Sequence, residues 1–205
     1  MRGWFVAFEG GEASGKSTQA ARFAERIDAL LTREPGGTPL GERVRELVLD
    51  PVYGTVDPRA EALLMAAARA QHVTDVIRPA LVAGRHVVTD RYIGSSLAYQ
   101  GHARGLGVEL VAALSSFATG GLQPDVVVLL EVDDGVASAR LARGPLDRLE
   151  REGIAFHAAV RAGFSSLAAA DAGRWVVVDG GGTVEEVAAQ VADAVAARLP
   201  DLVGT

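Results

Sequence analysis

The sequence predicts an α/β fold: a parallel sheet of about five strands, covered by helices on both faces. Short apolar runs of strand length alternate with longer stretches of helical character, a pattern typical of parallel strands connected by helices. The 205 residues contain no internal repeat and no long linker, and 49% of them are hydrophobic, which suits one normal core. We therefore expect a single domain over residues 1–205.

The predicted strands are apolar runs bounded by Gly, Asp or charged residues. They cover residues 4–8, 29–32, 86–89, 126–132 and 175–178. The fourth is the longest run of β-branched residues and Leu. It suits a central strand, because parallel strands inside a sheet are buried on both faces.

Capping residues mark the predicted helices. The first helix is expected from about residue 16 to residue 27, after a Gly-rich turn. Asp57 followed by Pro58 marks the start of an Ala-rich helix, because an acidic N-cap and a first-turn Pro are both favoured there. This helix should kink or stop near Pro79. Thr183 is placed to cap the last helix.

Composition excludes several classes of protein. The 20 Lys and Arg are outnumbered by 26 Asp and Glu, for a net charge of -6, which argues against binding to nucleic acid or a membrane surface. Without Cys, there is no disulfide, thiolate or Cys-ligated zinc chemistry. The apolar run at residues 4–8 is too short for a signal peptide, and no run approaches the length of a membrane span. A cytoplasmic protein is the expectation.

A phosphate-binding motif follows the first strand. Residues 10–17, GGEASGKS, fit G-x-x-x-x-G-K-[ST] in the expected strand-to-helix context. Lys16 is the single Lys of the chain, and it would reach the β- and γ-phosphates of a bound nucleotide. The alternative is a Gly-rich turn capped by Ser17. We expect a P-loop NTPase-type sheet, with a nucleoside triphosphate bound by Gly10, Gly11, Glu12, Ala13, Ser14, Gly15, Lys16, Ser17 and Thr18.

Two oxygen ligands suggest Mg²⁺. The Ser17 hydroxyl is one, and Asp90, directly after the third predicted strand, would be the second at the carboxyl edge of the sheet. A solvated helix-capping Asp is the alternative for Asp90. Because the chain has no Asn, it cannot carry the Asn-Lys-x-Asp guanine-binding motif of a GTPase. Among P-loop proteins, small-molecule kinases remain as the class that fits.

Three segments together resemble the thymidylate kinase family, ATP-dependent enzymes that phosphorylate dTMP to dTDP. They are FEG running into the P-loop from residue 8, TREPGGT at residues 32–38, and DRYIGSSLAYQG at residues 90–101. The resemblance implies ATP, dTMP and Mg²⁺ as ligands and a homodimer. A kinase for another nucleoside monophosphate and a non-catalytic ATP-binding module are the alternatives.

The resemblance also assigns roles at the acceptor site. Arg33 and Arg91 would hold the acceptor phosphate, which suits guanidinium groups, and Glu12 would lie near the deoxyribose 3′-hydroxyl. Tyr99 would crowd the sugar 2′-carbon. The residues implied for the sugar and base are Met65, Arg69, Ser95, Ser96, Tyr99 and Gln100. Met65 departs from the family, which often stacks a Phe on the base there.

A charged stretch at about residues 140–153 is interpreted as a short mobile lid. Because Ala13 replaces the Arg that some family members carry in the P-loop, the chain resembles the bacterial subgroup whose lid supplies that cation. Arg143 and Arg148 would then contact the transferring phosphoryl group, and Arg140 would stack on adenine. The alternative is a solvated helix with pairs such as Asp147–Arg151 and Arg148–Glu152. The four His are expected to be structural.

Overall fold

The structure is a computed structural model, which describes residues 2–141 and 146–203. Five parallel strands form one sheet in the order β2-β3-β1-β4-β5. The strands are β1 Phe5–Gly10, β2 Leu30–Arg33, β3 Val87–Asp90, β4 Val126–Glu131 and β5 Trp175–Asp179. The predicted α/β fold is confirmed, with β1 in the middle and β4 between β1 and β5.

Helices connect the strands. They are α1 Lys16–Arg26, α2 Pro39–Leu49, α3 Pro58–His72, α4 Arg78–Val82, α5 Ile93–Ser96, α6 Val108–Thr119, α7 Asp134–Leu141, α8 Ile154–Ala170, α9 Val184–Ala196 and α10 Pro200–Val203. In the described part of the chain, none of them is long and apolar enough to cross a membrane.

The core lies on both faces of the sheet. Val6 and Phe8 face one side, where they pack with apolar residues of α1 and α9. Phe5 and Ala7 face the other side, in a cluster with residues 73–81. This alternation follows from the period of two along a strand, and every residue of β1 is buried. Burial on both faces is what the apolar strand sequences predict.

The helix that starts at Pro58 does not stop at Pro79. After α3, residues Val73–Ile77 form a π-helical turn, which leads into α4, and the helical path ends at Val82. Pro has no N–H to donate and its ring crowds the preceding turn, so a regular ladder is interrupted just before it. The predicted break is therefore a widened turn.

The strand register places the ends of β2 and β3 side by side, next to β1. Arg33 at the end of β2 is paired with Asp90 at the end of β3, and Asp90 is paired with Phe8 of β1. Both strands run one residue further than predicted, so Arg33 and Asp90 are strand residues. Ligands bind at this carboxyl edge in open α/β sheets.

Candidate active site

The phosphate loop lies between β1 and α1, and glycine shapes it. Gly10 and Gly15 have φ angles of 149° and 89°, which L-residues with a Cβ atom rarely adopt. A Cβ atom at Gly10 would also lie 2.5 Å from the Leu130 carbonyl oxygen. Among the described residues no side chain caps α1, so its first N–H groups are left as donors for an anion.

Lys16, the first residue of α1, is buried inside this loop. Its Nζ donates a hydrogen bond to the Gly11 carbonyl oxygen at 3.0 Å. Burial lowers the pKa of the ammonium, and the charge of Arg91 lowers it further, whereas Glu12 and other carboxylates oppose the shift. A carbonyl partner can be exchanged for a phosphate oxygen without breaking an ion pair.

Ser17 and Asp90 form the polar pair that the sequence predicts for Mg²⁺. The Ser17 hydroxyl donates to Oδ2 of Asp90 at 2.5 Å. The other carboxylate oxygen, Oδ1, is buried and has no hydrogen-bond partner among the described residues. Within residues 2–141 and 146–203, no cluster of three or more His, Cys, Asp or Glu could hold a metal alone. The pair therefore fits a hard cation that takes its other ligands from a nucleotide and water.

A cavity of about 460 Å³ opens in front of the phosphate loop. Lys16, Ser17 and Asp90 line it. So do all nine residues predicted to bind the acceptor: Glu12, Arg33, Met65, Arg69, Arg91, Ser95, Ser96, Tyr99 and Gln100. The structure thus brings Lys16 and the predicted metal and acceptor residues to one cavity, and their individual roles stay predictions.

Arg91 connects the phosphate loop to other residues of the cavity that are predicted to bind the acceptor. Its Nη1 donates to the Gly10 carbonyl at 3.1 Å and to the Ser95 hydroxyl at 3.0 Å. Its Nη2 donates to Glu12 at 2.8 Å, and its guanidinium lies over the Tyr99 ring. Arg91 has a φ of 69°, a strained value for a residue with a side chain. Burial would lower its pKa, but Glu12 raises it above the ordinary value, so Arg91 stays charged.

Glu12 and Tyr99 form a short hydrogen bond beside Arg91. The Tyr99 hydroxyl donates to Oε1 of Glu12 at 2.5 Å. Burial alone would raise the pKa of Glu12, but the charges of Arg91 and Lys16 hold it at about 2. Burial and the Glu12 charge raise the pKa of Tyr99 well above its ordinary value. At neutral pH the pair is an ionised acceptor and a neutral donor.

Two further guanidinium groups stand at the mouth of the cavity. Arg33 is half exposed and forms an ion pair of 2.8 Å with Glu42. Arg45 of α2 lines the cavity and donates to the Pro35 carbonyl at 3.2 Å. Burial lowers the pKa of Arg45, and the charge of Arg33 lowers it further. Arg45 is not among the residues predicted from the sequence, although Thr38 and Pro39 mark the start of its helix.

The far end of the cavity is built around buried polar side chains. Arg69 of α3 donates from Nε to Glu34 at 2.6 Å and from Nη2 to the Ser96 hydroxyl at 3.0 Å. Gln100 donates from Nε2 to Glu61 at 2.9 Å. Met65 is buried one turn before Arg69 on the same helix. Polar groups held this rigidly suit the hydrogen-bonding edge of a flat ring.

Two of the four His, His72 and His86, have partners that suit the predicted structural role. His72 is buried between the Thr32 hydroxyl, 2.6 Å from Nε2, and the Glu34 carboxylate, 2.9 Å from Nδ1. Nδ1 of His86 accepts the backbone N–H of Trp4 at 3.0 Å. Within the described residues, no His lines the cavity in front of the phosphate loop.

The three arginines with predicted roles in the lid differ in where they lie. Arg140 donates to the carbonyls of Ala13 and Gly180, at 3.2 and 3.1 Å, and so lies against the phosphate loop. Arg143 lies outside the described residues. Arg148 is buried, donating to the Val48 carbonyl at 2.7 Å and to Glu61 at 2.5 Å.

The predicted contact of Arg148 with the transferring phosphoryl group is therefore not present in this arrangement. The guanidinium is already occupied by a buried carboxylate and a carbonyl, and Arg148 is not among the residues that line the cavity. The alternative of a solvated helix also fails, because residues 148–150 form a turn and Glu152 pairs with Arg104 at 2.6 Å.

Other cavity residues were not predicted. They are Glu34, Pro35, Arg45, Leu49, Tyr92, Asp147, Leu149 and Glu150. Glu34, Pro35 and Tyr92 lie inside the TREPGGT and DRYIGSSLAYQG segments. Their place in these motifs is the sequence feature from which they could have been predicted. Asp147, Leu149 and Glu150 lie inside the predicted lid, and their place in the cavity depends on how that segment folds back.

Comparison with known proteins gives one consistent result. The family model described as thymidylate kinase matches residues 8–191. A thymidylate kinase of Pseudomonas fluorescens strain Pf0-1 is 50% identical, over 88% of this chain and 89% of the relative. One from Lactobacillus helveticus is 43% identical, over 98% of this chain and all of the relative.

A solved structure agrees with the sequence comparisons. The crystal structure of thymidylate kinase from Ehrlichia chaffeensis has a TM-score of 0.79 and 29% identity, covering 95% of this chain and 99% of the other. The chain therefore belongs to the thymidylate kinase family, whose reaction is the phosphorylation of dTMP to dTDP.

Proposed function

We propose that the chain phosphorylates dTMP in the cavity beside the phosphate loop, with ATP as the donor, and so supplies dTDP for dTTP synthesis. The observation that supports this is that one cavity has phosphate-binding groups at one end and polar side chains at the other. Lys16 and the N-terminus of α1 lie at one end, and the polar groups of Arg69 and Gln100 at the other. Arg91 contacts both the phosphate loop and the helix that carries Ser95.

The acceptor phosphate would be held by Arg33 and Arg91. A phosphate monoester is mostly dianionic at neutral pH, because its second pKa is about 6, so its own oxygen can attack the γ-phosphorus. Phosphoryl transfer then depends on positioning and on charge neutralisation. No general base is required, which agrees with the structural partners of His72 and His86.

The ATP side would be formed by residues 10–18 and Arg140. The loop amides cradle the phosphates, and Lys16 bridges the β- and γ-phosphates. Arg140 is within hydrogen-bond distance of carbonyls in both the phosphate loop and the β5–α9 connection. A planar guanidinium at this junction suits stacking on the adenine ring.

The nucleoside of dTMP would extend toward α3 and α5. Glu12, ionised and fixed by Arg91 and Tyr99, can accept a hydrogen bond from the 3′-hydroxyl. The Tyr99 ring would exclude a 2′-hydroxyl. Arg69, Ser96 and Gln100 would read the base edge, with Met65 against the ring through a thioether contact.

Mg²⁺ would be held by Ser17 and Asp90. The buried, unpartnered Oδ1 of Asp90 supports this, because a buried carboxylate oxygen is rarely left without a partner. When bound, the ion would neutralise charge on the β- and γ-phosphates.

The lid and the subgroup are part of the same proposal. We assign residues 140–153 as a lid on a single domain spanning residues 1–205, and Arg143 as the cation that Ala13 does not supply. The structure supports only the position of Arg140 at the phosphate loop. Arg148 is assigned to hold the lid turn against α3, through its bond to Glu61.

A homodimer is supported by an apolar face on α3 and α6. These helices pack against each other, and they leave Leu63, Leu110 and Phe117 exposed by 59%, 62% and 87%. Leu110 and Phe117 are two turns apart on α6 and so share a face. An exposed apolar patch on these two helices fits a second copy of the chain.

The direct test is ADP release from ATP with a panel of nucleoside monophosphates. We expect dTMP to be preferred over dUMP, dCMP, dAMP and dGMP. Lys16→Ala should lower kcat at least about a hundredfold, because it removes a charge that stabilises the transferring phosphoryl group. Arg26→Ala, at the exposed end of the same helix, is the control and should keep normal activity. Preference for another monophosphate, or near-normal kcat in Lys16→Ala, contradicts the proposal.

A further inference from the structure

Glu61 is a fully buried carboxylate behind the base end of the cavity. It lies on α3 one turn before Met65 and is 0% exposed, but it is not among the residues that line the cavity. Three side chains donate to it. Gln100 Nε2 is 2.9 Å from Oε1, Arg104 is 3.3 Å from each oxygen, and Arg148 Nη2 is 2.5 Å from Oε2.

The charges of this cluster are balanced. Glu61 and Glu152 carry two negative charges, and Arg104 and Arg148 carry two positive charges, with Arg104 and Glu152 paired at 2.6 Å. Burial alone would raise the pKa of Glu61, but the hydrogen bonds from Arg148, Gln100 and Arg104 lower it below its ordinary value. Glu61 is therefore ionised at neutral pH.

An ionised carboxylate constrains Gln100 because it has acceptors and no donor. The amide of Gln100 can face Glu61 only with its NH₂ group. Its carbonyl oxygen is then the end left for the cavity that Gln100 lines. A terminal amide can otherwise rotate by 180° and exchange its donor for its acceptor. Glu61 removes this freedom.

We propose that Glu61 is a positioning residue that sets base selectivity, by fixing the carbonyl oxygen of Gln100 toward the base. The inference rests on the proposed function, since it assumes that the base binds at this end of the cavity. Thymine carries an N–H at ring position 3, which pairs with a carbonyl. Cytosine has a bare nitrogen acceptor there, which faces the carbonyl oxygen without a proton between them. The fixed amide therefore favours dTMP over dCMP.

The test is Glu61→Gln, measured as the ratio of kcat/KM for dTMP to kcat/KM for dCMP. In this variant the two Arg side chains bond to the new amide oxygen, so its NH₂ group turns toward Gln100. Gln100 then rotates and presents its own NH₂ group to the base. We expect the ratio to fall by about tenfold or more, the usual effect of one mispaired buried hydrogen bond. A loss of folded protein scales both constants by the same factor, so the measured ratio is still the ratio of the molecules that are folded.

Two variants separate positioning from general damage. Arg104→Gln removes another partner of Glu61 but leaves the carboxylate, so the ratio should stay within about twofold of wild type. In a Gln100→Leu background, Glu61→Gln should produce no further change in the ratio, because its effect passes through Gln100. An unchanged ratio in Glu61→Gln, or an equal effect of Glu61→Gln in both backgrounds, overturns the inference.

The wild-type enzyme provides a test that does not depend on the variant folding. A dTMP analogue methylated at ring N3 lacks the N–H, and its kcat/KM should be at least about tenfold lower than that of dTMP. Equal use of the two nucleotides overturns the inference. If wild type does not phosphorylate dTMP at all, the proposed function fails instead, so the two failures are distinguishable.

Discussion

Glu12 is a carboxylate inside a loop that binds phosphates, and its neighbours explain why it is tolerated. Nη2 of Arg91 lies 2.8 Å from its Oε1, and the Tyr99 hydroxyl donates to the same oxygen. The positive charge of Arg91 thus offsets the negative charge of Glu12, so Glu12 repels a bound polyphosphate only weakly. Lys16 remains available, because its bond of 3.0 Å is to a neutral carbonyl.

The depressed pKa of Glu12 predicts a stability that depends on pH. Its folded-state pKa of about 2 lies below the ordinary value of 4.5, so the carboxylate stabilises the fold above pH 4.5, and this stabilisation is lost as pH falls toward 2. The difference corresponds to about 3 kcal/mol. Urea unfolding of wild type and Glu12→Gln should show the largest difference at pH 6, and less than half of it at pH 3.

Glu12→Gln is nearly isosteric with the protonated acid, which makes it the matched comparison. A difference in the free energy of unfolding that stays constant from pH 6 to pH 3 would contradict the assignment of the low pKa to Glu12. Other acidic groups titrate in both proteins, so their contributions cancel in the difference.

At the scale of single elements, helices with irregular turns carry several of the residues that are proposed to bind the acceptor. α5 continues into a π-helical turn, Leu97–Ala103, which contains Tyr99 and Gln100. Ser95 and Ser96 lie one turn earlier, and all four line the cavity. Widened turns of this kind often occur at functional sites. The sequence predicts helical spacing here, but not the widened turn.

Helix α9 has a complete capping box, as its sequence predicts. The Thr183 hydroxyl accepts the Glu186 N–H at 3.3 Å, and the Glu186 carboxylate accepts the Thr183 N–H at 2.8 Å. Thr183→Ala should lower the free energy of unfolding by about 1 kcal/mol, measured by urea titration. Thr183→Ser keeps the hydroxyl and should cost less than half as much. Equal losses in the two variants would show that the cap is not what stabilises the helix.

At the scale of the whole molecule, the exposed apolar face on α3 and α6 is surface that a single copy of the chain leaves in contact with water. Phe117 is exposed by 87% although it is a large aromatic side chain, and Leu63 and Leu110 extend the face. Burying these side chains against a second copy would remove apolar area from water.

Phe117→Arg tests the dimer. If the face joins two copies, the charged side chain should shift the protein from dimer to monomer in size-exclusion chromatography with light scattering. Ile154→Arg is the control, because Ile154 is also exposed by 87% but lies at the start of α8. A monomeric wild type, or dissociation caused equally by both variants, would contradict this interface.

Much of the site was predictable because its chemistry is local in the chain. A strand, a glycine loop and a helix that follow one another bind phosphate through their own backbone, so residues 10–17 predict a phosphate site before any folding is considered. The place of Asp90 at the carboxyl edge of the sheet was predictable too, because it directly follows a predicted strand, whereas the strand order and the pairing of Arg33 with Asp90 are given only by the structure. The caps at Asp57 and Thr183 are equally local.

The arrangement around Glu61 could not be predicted in this way. Glu61 is separated from Gln100 by 39 residues and from Arg148 by 87 residues, and no periodicity relates the three. In the sequence, nothing distinguishes Arg148 from the other arginines of the predicted lid. In the fold, it donates a hydrogen bond to a buried carboxylate. An unpaired charge that is buried away from water is costly, so the Arg148 guanidinium needs a partner. Which residue becomes that partner depends on which segments pack together. Only the folded chain establishes that packing.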